Sequence, residues 1–228
     1  MKVISVKKEQ ILIVFYVIVI VAGIVRAYYN ETVAVFAMPV SGKVIIIDAG
    51  HGGWDPGKVA AGNVLEKDIN LNIALKLQAY LEQGGSTVIM TRIVDEALGN
   101  QKSGDMLGRK TIANTSSADL LISIHQNAYD SPSVSGAQVF YFGDAPESKA
   151  LAQHIQAELK AFLNQNNKLE VKSNSNYYIL RQTMLPAVIV ECGFLTHATE
   201  RQRLTQDEYQ EKVAWAIYKG IIAYFNEK

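Results

Sequence analysis

"VIIIDAGHGGWDPG", Val44 to Gly57, is the stretch whose reading decides the fold. Four β-branched apolar residues in a row, Val44–Ile47, fit a strand covered on both faces, because such a strand has no polar side to offer water. The strand is then cut off within four positions by Asp48, Ala49, Gly50 and His51, and Gly52 and Gly53 follow. Packing alone would choose none of these at the end of a buried strand. In open α/β sheets, functional groups gather outside the carboxyl ends of the strands, and this strand ends on such groups.

Working outward, Thr87–Met90, Leu120–Ile124, Ala137–Phe142, Tyr177–Leu180 and Ala187–Val190 are further apolar, β-rich runs. Helical patterns lie between them. Glu66–Gln83 repeats Ile69, Ile73, Leu77 and Leu81 at four-residue spacing and stops at a pair of glycines. A weaker helix is expected over Leu107–Thr115. Pro146–Asn164 repeats Leu151, Ile155, Leu159 and Phe162, and Asp207–Phe225 closes with Val213, Ile217 and Ile221. Strands alternating with helices predict an α/β fold: a mostly parallel twisted sheet of about six strands with helices on both faces, in a single domain over residues 43–228.

The 228 residues suffice for one such domain plus a terminal extra. The extra is Ile11–Val25, an apolar run without a charge, preceded by Lys2, Lys7 and Lys8 and closed by Arg26. Residues 1–27 therefore read as a signal peptide or an N-terminal membrane anchor, with the remainder of the chain outside. Residues 28–42 show no period, contain Pro39 and read as a linker. The 22 basic and 22 acidic residues balance over the whole chain, but Lys2, Lys7, Lys8 and Arg26 against Glu9 and Glu31 precede Lys43. The domain is left slightly acidic, with no basic stripe, which argues against nucleic acid as a partner. Cys192 is the one cysteine, so no internal disulfide exists.

Two more strands end as the first does. "DLLISIHQNA" carries His125 directly after its apolar run, and "AVIVECGF" places Glu191 after four apolar residues. A lone histidine at a strand end is commonly structural. Two histidines and a carboxylate in equivalent places suit a catalytic zinc with one position open to water. Glu66 is a further candidate ligand, although an acidic residue at a helix start is also explained by the helix dipole. The glycines beside His51 leave room for a metal and a bulky substrate. A glycine-rich loop after a strand can also cradle phosphate, but the spacing fits neither nucleotide-binding motif.

Taken together, "DAGHGGWDPG", Glu66 in "NVLEKD", "SIHQNA" and "VECGFLTHATE" resemble the signature blocks of the zinc-dependent N-acetylmuramoyl-L-alanine amidases of the amidase-3 type. The flanks "PVSGKVIIID", "TVIMTR", "SGAQVFYFG" and "YQEKVAWAIYKGIIAYF" are similar to the germination-specific branch of that family. The resemblance implies a single catalytic domain with one zinc on His51, Glu66 and His125, and Glu191 as the catalytic carboxylate. It implies a peptidoglycan substrate cut between muramic acid and L-alanine, outside the cytoplasmic membrane. For the germination branch, the expected place is the forespore intermembrane space, where cortex with muramic lactam is made. Ala49 and Gln126 depart from the common family pattern at positions that are not ligands. His197 is expected at a helix start and Cys192 in the core. Only "AYDSPSVS" separates Asn127 from Gly136, too short for the inhibitory insertion of cell-division relatives, which leaves control to expression, placement or a partner protein. Two rival readings are a cysteine hydrolase using Cys192 with His197 or His125, and a wall-binding module without catalysis.

Overall fold

The computed structural model describes residues 7–29 and 38–228. The chain divides between Ala37 and Met38. On the N-terminal side, helix α1 (Lys8–Tyr29) contains a segment, Lys8–Arg26, that is long and apolar enough to cross a membrane by length and composition. Its side chains from Ile11 to Val21 are exposed, as no globular core helix would leave them. Of the expected linker, Tyr28 and Tyr29 continue α1, residues 30–37 lie outside the described residues, and Val40 is fully buried in the domain.

The domain is built on a six-stranded sheet. Its strands are β1 (Val44–Ala49), β4 (Thr87–Met90), β5 (Leu120–Asn127), β6 (Gln138–Tyr141), β7 (Lys172–Ser173) and β8 (Ala187–Phe194), in the order β4-β1-β5-β8-β6-β7. All neighbours are parallel except β6 against β8. A short antiparallel ribbon, β2 (Val59–Ala60) with β3 (Val64–Leu65), stands apart.

Side-chain alternation divides the sheet into two faces. Ile45, Ile47, Ile122, Ile124, Val188 and Val190 face one way. They pack on helices α2 (Glu66–Gln83), α4 (Pro146–Leu163) and α7 (Asp207–Asn226) through Ile73, Leu77, Ile155 and Ile217. Ile46, Leu121, Phe140 and Ile189 face the other way, against Ala113 of helix α3 (Lys102–Thr115) and Ile179 and Leu180 of helix α5 (Tyr178–Gln182). Asp48, Ser123, His125 and Glu191 share the parity of this second set, so alternation brings them to one face at one end of the sheet. The predicted architecture holds, and the three longest expected helices end within one residue of their predicted limits.

Two local expectations differ. Tyr177–Leu180 is not a strand: Tyr178–Gln182 is helical, and Ile179 and Leu180 are buried against the sheet from above. A run this short satisfies helix and strand equally, and the contacts decide. The sixth strand is instead β7, two exposed polar residues at the sheet edge. Helix α3 begins five residues before its expected start, and the seven-residue helix α6 (Ala198–Leu204) had no periodic signal.

Candidate metal centre and active site

The backbone of the loop after β1 is held from outside by two side chains. His51 sits at φ 61°, a left-handed conformation that costs a residue with a Cβ. Two buried arginines hold it there. Arg109 donates to the carbonyls of Ala49 (2.9 Å) and His51 (2.7 Å), and Arg92 to those of Ala49 (2.9 Å) and Gly50 (3.0 Å). Three successive carbonyls are thus fixed from outside the loop. Arg109 is itself anchored by Asp48 at 2.5 Å and Asp105 at 2.8 Å. Burial alone would raise the Asp48 carboxyl, but Arg109 and the Ser123 hydroxyl outweigh it and hold the pKa at about 2.

His51, Glu66 and His125, which come from three separate elements, meet beside this loop. Glu66 is the first residue of α2, delivered by the β2–β3 ribbon, where its backbone N–H donates to Lys58 O at 3.0 Å. Its Oε1 lies 3.2 Å from His51 Nε2 and 3.0 Å from His125 Nδ1. One donor atom from each of the three residues falls within 4.8 Å of the others. Backbone and side-chain donors hold the carboxylate in place: Lys58 N–H on Oε2 (2.8 Å), and Gln126 N–H (3.1 Å) and Asn70 (3.3 Å) on Oε1. Asn70 also donates to Gly50 O and accepts from Gln126, tying α2 to the loop after β1 and to β5. Burial would raise the Glu66 carboxyl, yet His125 and His51 drive it far below the usual range. His51 is pulled down by burial but raised on balance by Glu66 and Asp55.

The glycines make room for these three side chains. A Cβ on Gly50 would lie 2.3 Å from the His125 ring, and one on Gly57 2.6 Å from Glu66 Oε2 and 2.7 Å from His51. Asp55, four residues after His51, accepts from or shares a proton with His51 Nδ1 at 2.9 Å and so fixes which ring nitrogen faces the cluster. Sequence reasoning passed over it, although a carboxylate so close behind a candidate ligand was a signal. Two imidazoles and one carboxylate form a donor set whose chemistry and spacing are compatible with a divalent ion such as zinc.

Glu191 lies beside this set. It pairs in register with His125, and the β5–β8 ladder shifts register immediately beyond that pair, a bulge of the kind found beside active sites. The residue is 6% exposed. Tyr177 OH donates to Oε1 at 3.3 Å, while Oε2 has no partner among the described residues. Burial pushes its pKa to about 7, helped by the nearby Glu66 charge against the opposing His125 and His51. The cleft above encloses about 390 Å³, walled by α3 on one side and the Asn176–Ile179 segment on the other.

The cysteine and the other two histidines lie elsewhere. Cys192 points to the opposite face of β8, in the core with α2 and α7, and burial raises its thiol well above the ordinary range. That removes a cysteine nucleophile. His197 caps α6, accepting from Glu200 N–H at 3.3 Å. His154 lies on α4 and meets Glu227.

The mostly parallel sheet covered on both faces is shared with known proteins. Residues 45–223 match Amidase_3, described as N-acetylmuramoyl-L-alanine amidase, and the chain belongs to that family. It is 40% identical over 207 residues to the germination-specific N-acetylmuramoyl-L-alanine amidase of Bacillus subtilis (strain 168), covering 87% of this chain and 86% of that one. Its identity to the amidase LytC of the same organism is 36% over 189 residues, which is 82% of this chain but 36% of LytC. The structure of the CwlD amidase from Clostridioides difficile in complex with the GerS lipoprotein superposes with a TM-score of 0.80 at 42% identity, over 82% of this chain and 100% of CwlD.

Proposed function

We propose that this protein hydrolyses the amide between the lactyl group of N-acetylmuramic acid and L-alanine in peptidoglycan, with one zinc held by His51, Glu66 and His125 and with Glu191 moving the proton. The observation that carries the reading is the buried Glu191 Oε2, which has no partner among the described residues and lies in the cleft beside the three-residue donor set. Zinc at that set supplies Lewis acidity toward the amide carbonyl and the attacking water. Glu191, poised near neutrality by burial, takes a proton from that water and returns it to the departing alanine nitrogen. Asp55 keeps the His51 ring oriented, Tyr177 holds Glu191 by Oε1, and the two arginines keep the His51 loop in place.

In this reading, residues 1–27 are a signal peptide or anchor that carries the domain outside the cytoplasmic membrane, and the connection between the two shrinks from the expected 28–42 to residues 30–37. The germination-specific relative supports a role in spore cortex; the compartment of this reading is the forespore intermembrane space, with stem-peptide removal ahead of lactam closure. The complex of CwlD with a lipoprotein supports an extracytoplasmic accessory protein for this chain as well.

The product decides the bond. Glycan strands carrying stem peptides should yield new α-amino groups on L-alanine and no new reducing sugar ends. Reducing ends would indicate a glycosidase, and amines on other residues a peptidase. The purified protein should retain about one zinc per chain. His51→Ala, Glu66→Ala and His125→Ala should each lose zinc by atomic absorption. Full retention in all three would overturn the ligand assignment.

A further inference from the structure

The wall of the cleft formed by α3 carries a cation that the catalytic reading leaves unused. Lys102 opens α3, where a positive charge meets the positive end of the helix dipole, so helix stability does not account for it. Its side chain is 72% exposed and lines the cleft, and its Nζ approaches one acceptor among the described residues, Asp55 Oδ2, at 3.9 Å. An ammonium has three donors, and at that distance none is properly spent. Arg109, the other basic residue lining the cleft, is consumed by Asp48, Asp105 and the loop carbonyls. Among the described residues, Lys102 is therefore the cation of this cleft with donors free for a ligand.

Its position matches a specific group on the substrate. Asp55 Oδ2 lies 3.9 Å from Lys102 Nζ and 2.9 Å from His51 Nδ1, so one carboxylate oxygen stands between the ammonium and that ring. The amine released from the lactyl amide belongs to L-alanine, which is followed by a D-glutamyl residue linked through its γ-carboxyl. That linkage leaves the α-carboxyl of the second residue free. An extended chain advances about 3.3–3.6 Å per residue, which puts this carboxyl roughly 4–7 Å beyond the scissile nitrogen. The contacts of 3.9 Å and 2.9 Å that meet at Asp55 Oδ2 keep Lys102 Nζ within the same distance scale of His51 Nδ1.

We propose that Lys102 reads the free α-carboxylate of the second stem-peptide residue, so that the enzyme prefers D-glutamate stem peptides over those amidated to D-isoglutamine. This rests on the amidase reading above. Lys102 is a specificity residue, and its interaction is a charge-assisted hydrogen bond at a solvent-exposed rim.

The test uses two muropeptides that differ only in D-glutamate or D-isoglutamine at the second position, with the full-length protein. Wild type should favour the acid by about 5- to 10-fold in kcat/KM, the range of a charged hydrogen bond discounted for exposure. Lys102→Met should bring the ratio close to one, Lys102→Glu should invert it, and Lys102→Arg should keep it. Calorimetric titration of Glu191→Gln with the same pair should show the matching difference in Kd. A ratio that survives in Lys102→Met, whatever that variant's rate, would mean that Lys102 acts through Asp55 on both substrates alike, and overturns the proposal. A wild-type ratio near one also overturns it while leaving the amidase reading intact. Wild-type protein that cuts neither substrate brings down the amidase reading first.

Discussion

Glu191→Gln keeps the fold and the zinc and loses about 10²- to 10⁴-fold in kcat, the range expected when a positioned general base is removed. The substitution preserves shape and volume. Its amide oxygen can still accept from Tyr177 OH, which lies 3.3 Å from Oε1, so the local packing has no cause to move. What is lost is basicity at Oε2, the buried oxygen that no donor among the described residues occupies. Because Glu191 is not among the three clustered donor residues, metal content should stay at the wild-type level. The measurement is kcat on stem-peptide-bearing glycan alongside zinc analysis. A variant within a few-fold of wild type would take Glu191 out of the proton path.

Arg109→Met should be the most destabilising of the conservative changes at this site. It leaves Asp48 anionic and buried with only the Thr91 and Ser123 hydroxyls as donors, and strips the carbonyls of Ala49 and His51 of a donor. Breaking one side of a buried pair costs about 3–5 kcal/mol, a large fraction of the stability of an ordinary domain. The thermal midpoint should fall by roughly 10 °C or more. Asp48→Asn in the same chain should restore part of the loss, since the uncompensated charge goes with it. A fall below about 1 kcal/mol would show that the pair is relaxed in solution. The same pair sets an acid limit. The Asp48 carboxyl is at about 2 in the folded chain against 3.8 for an unperturbed aspartate. A depressed carboxyl stabilises the fold above its unfolded value, so this contribution is complete above about pH 4 and drains away as the pH falls toward 2.

The elements that could be read from sequence are those whose burial pattern is periodic over several turns or unbroken over a whole strand. Helix α2 shows its buried stripe every fourth residue, and β1, β5 and β8 announce themselves by apolar runs that end on Asp48, His125 and Glu191. The edge strand β7 has nothing to bury, and α5 is one turn long, so neither leaves a period to detect. At the site, His51, His125 and Glu191 were legible as interruptions of apolar strands. Glu66 was not separable from a helix-start acid on its own spacing, and only the similarity of its motif to the amidases raised it to a ligand. Arg92, Arg109 and Tyr177 were illegible for a different reason. Their work is done across 42 or more residues for the Arg92–Gly50 and Arg109–Ala49 contacts, and across the 14 between Tyr177 and Glu191. Such partners become visible only when the chain is folded.

Cys192 is the immediate neighbour of Glu191, yet it faces the core on the opposite side of the sheet. The pleat of one strand therefore keeps a soft sulfur donor and an oxidisable thiol away from the His51, Glu66 and His125 cluster by nothing more than parity. In an oxidising compartment an accessible lone thiol invites sulfenic acid formation, mixed disulfides or intermolecular cross-links. Here the sulfur is fully enclosed and its proton is held tightly by burial, so the thiolate that those reactions require is scarcely formed. The chain can thus carry an unpaired cysteine into such a compartment without a disulfide partner and without redox liability at its active site.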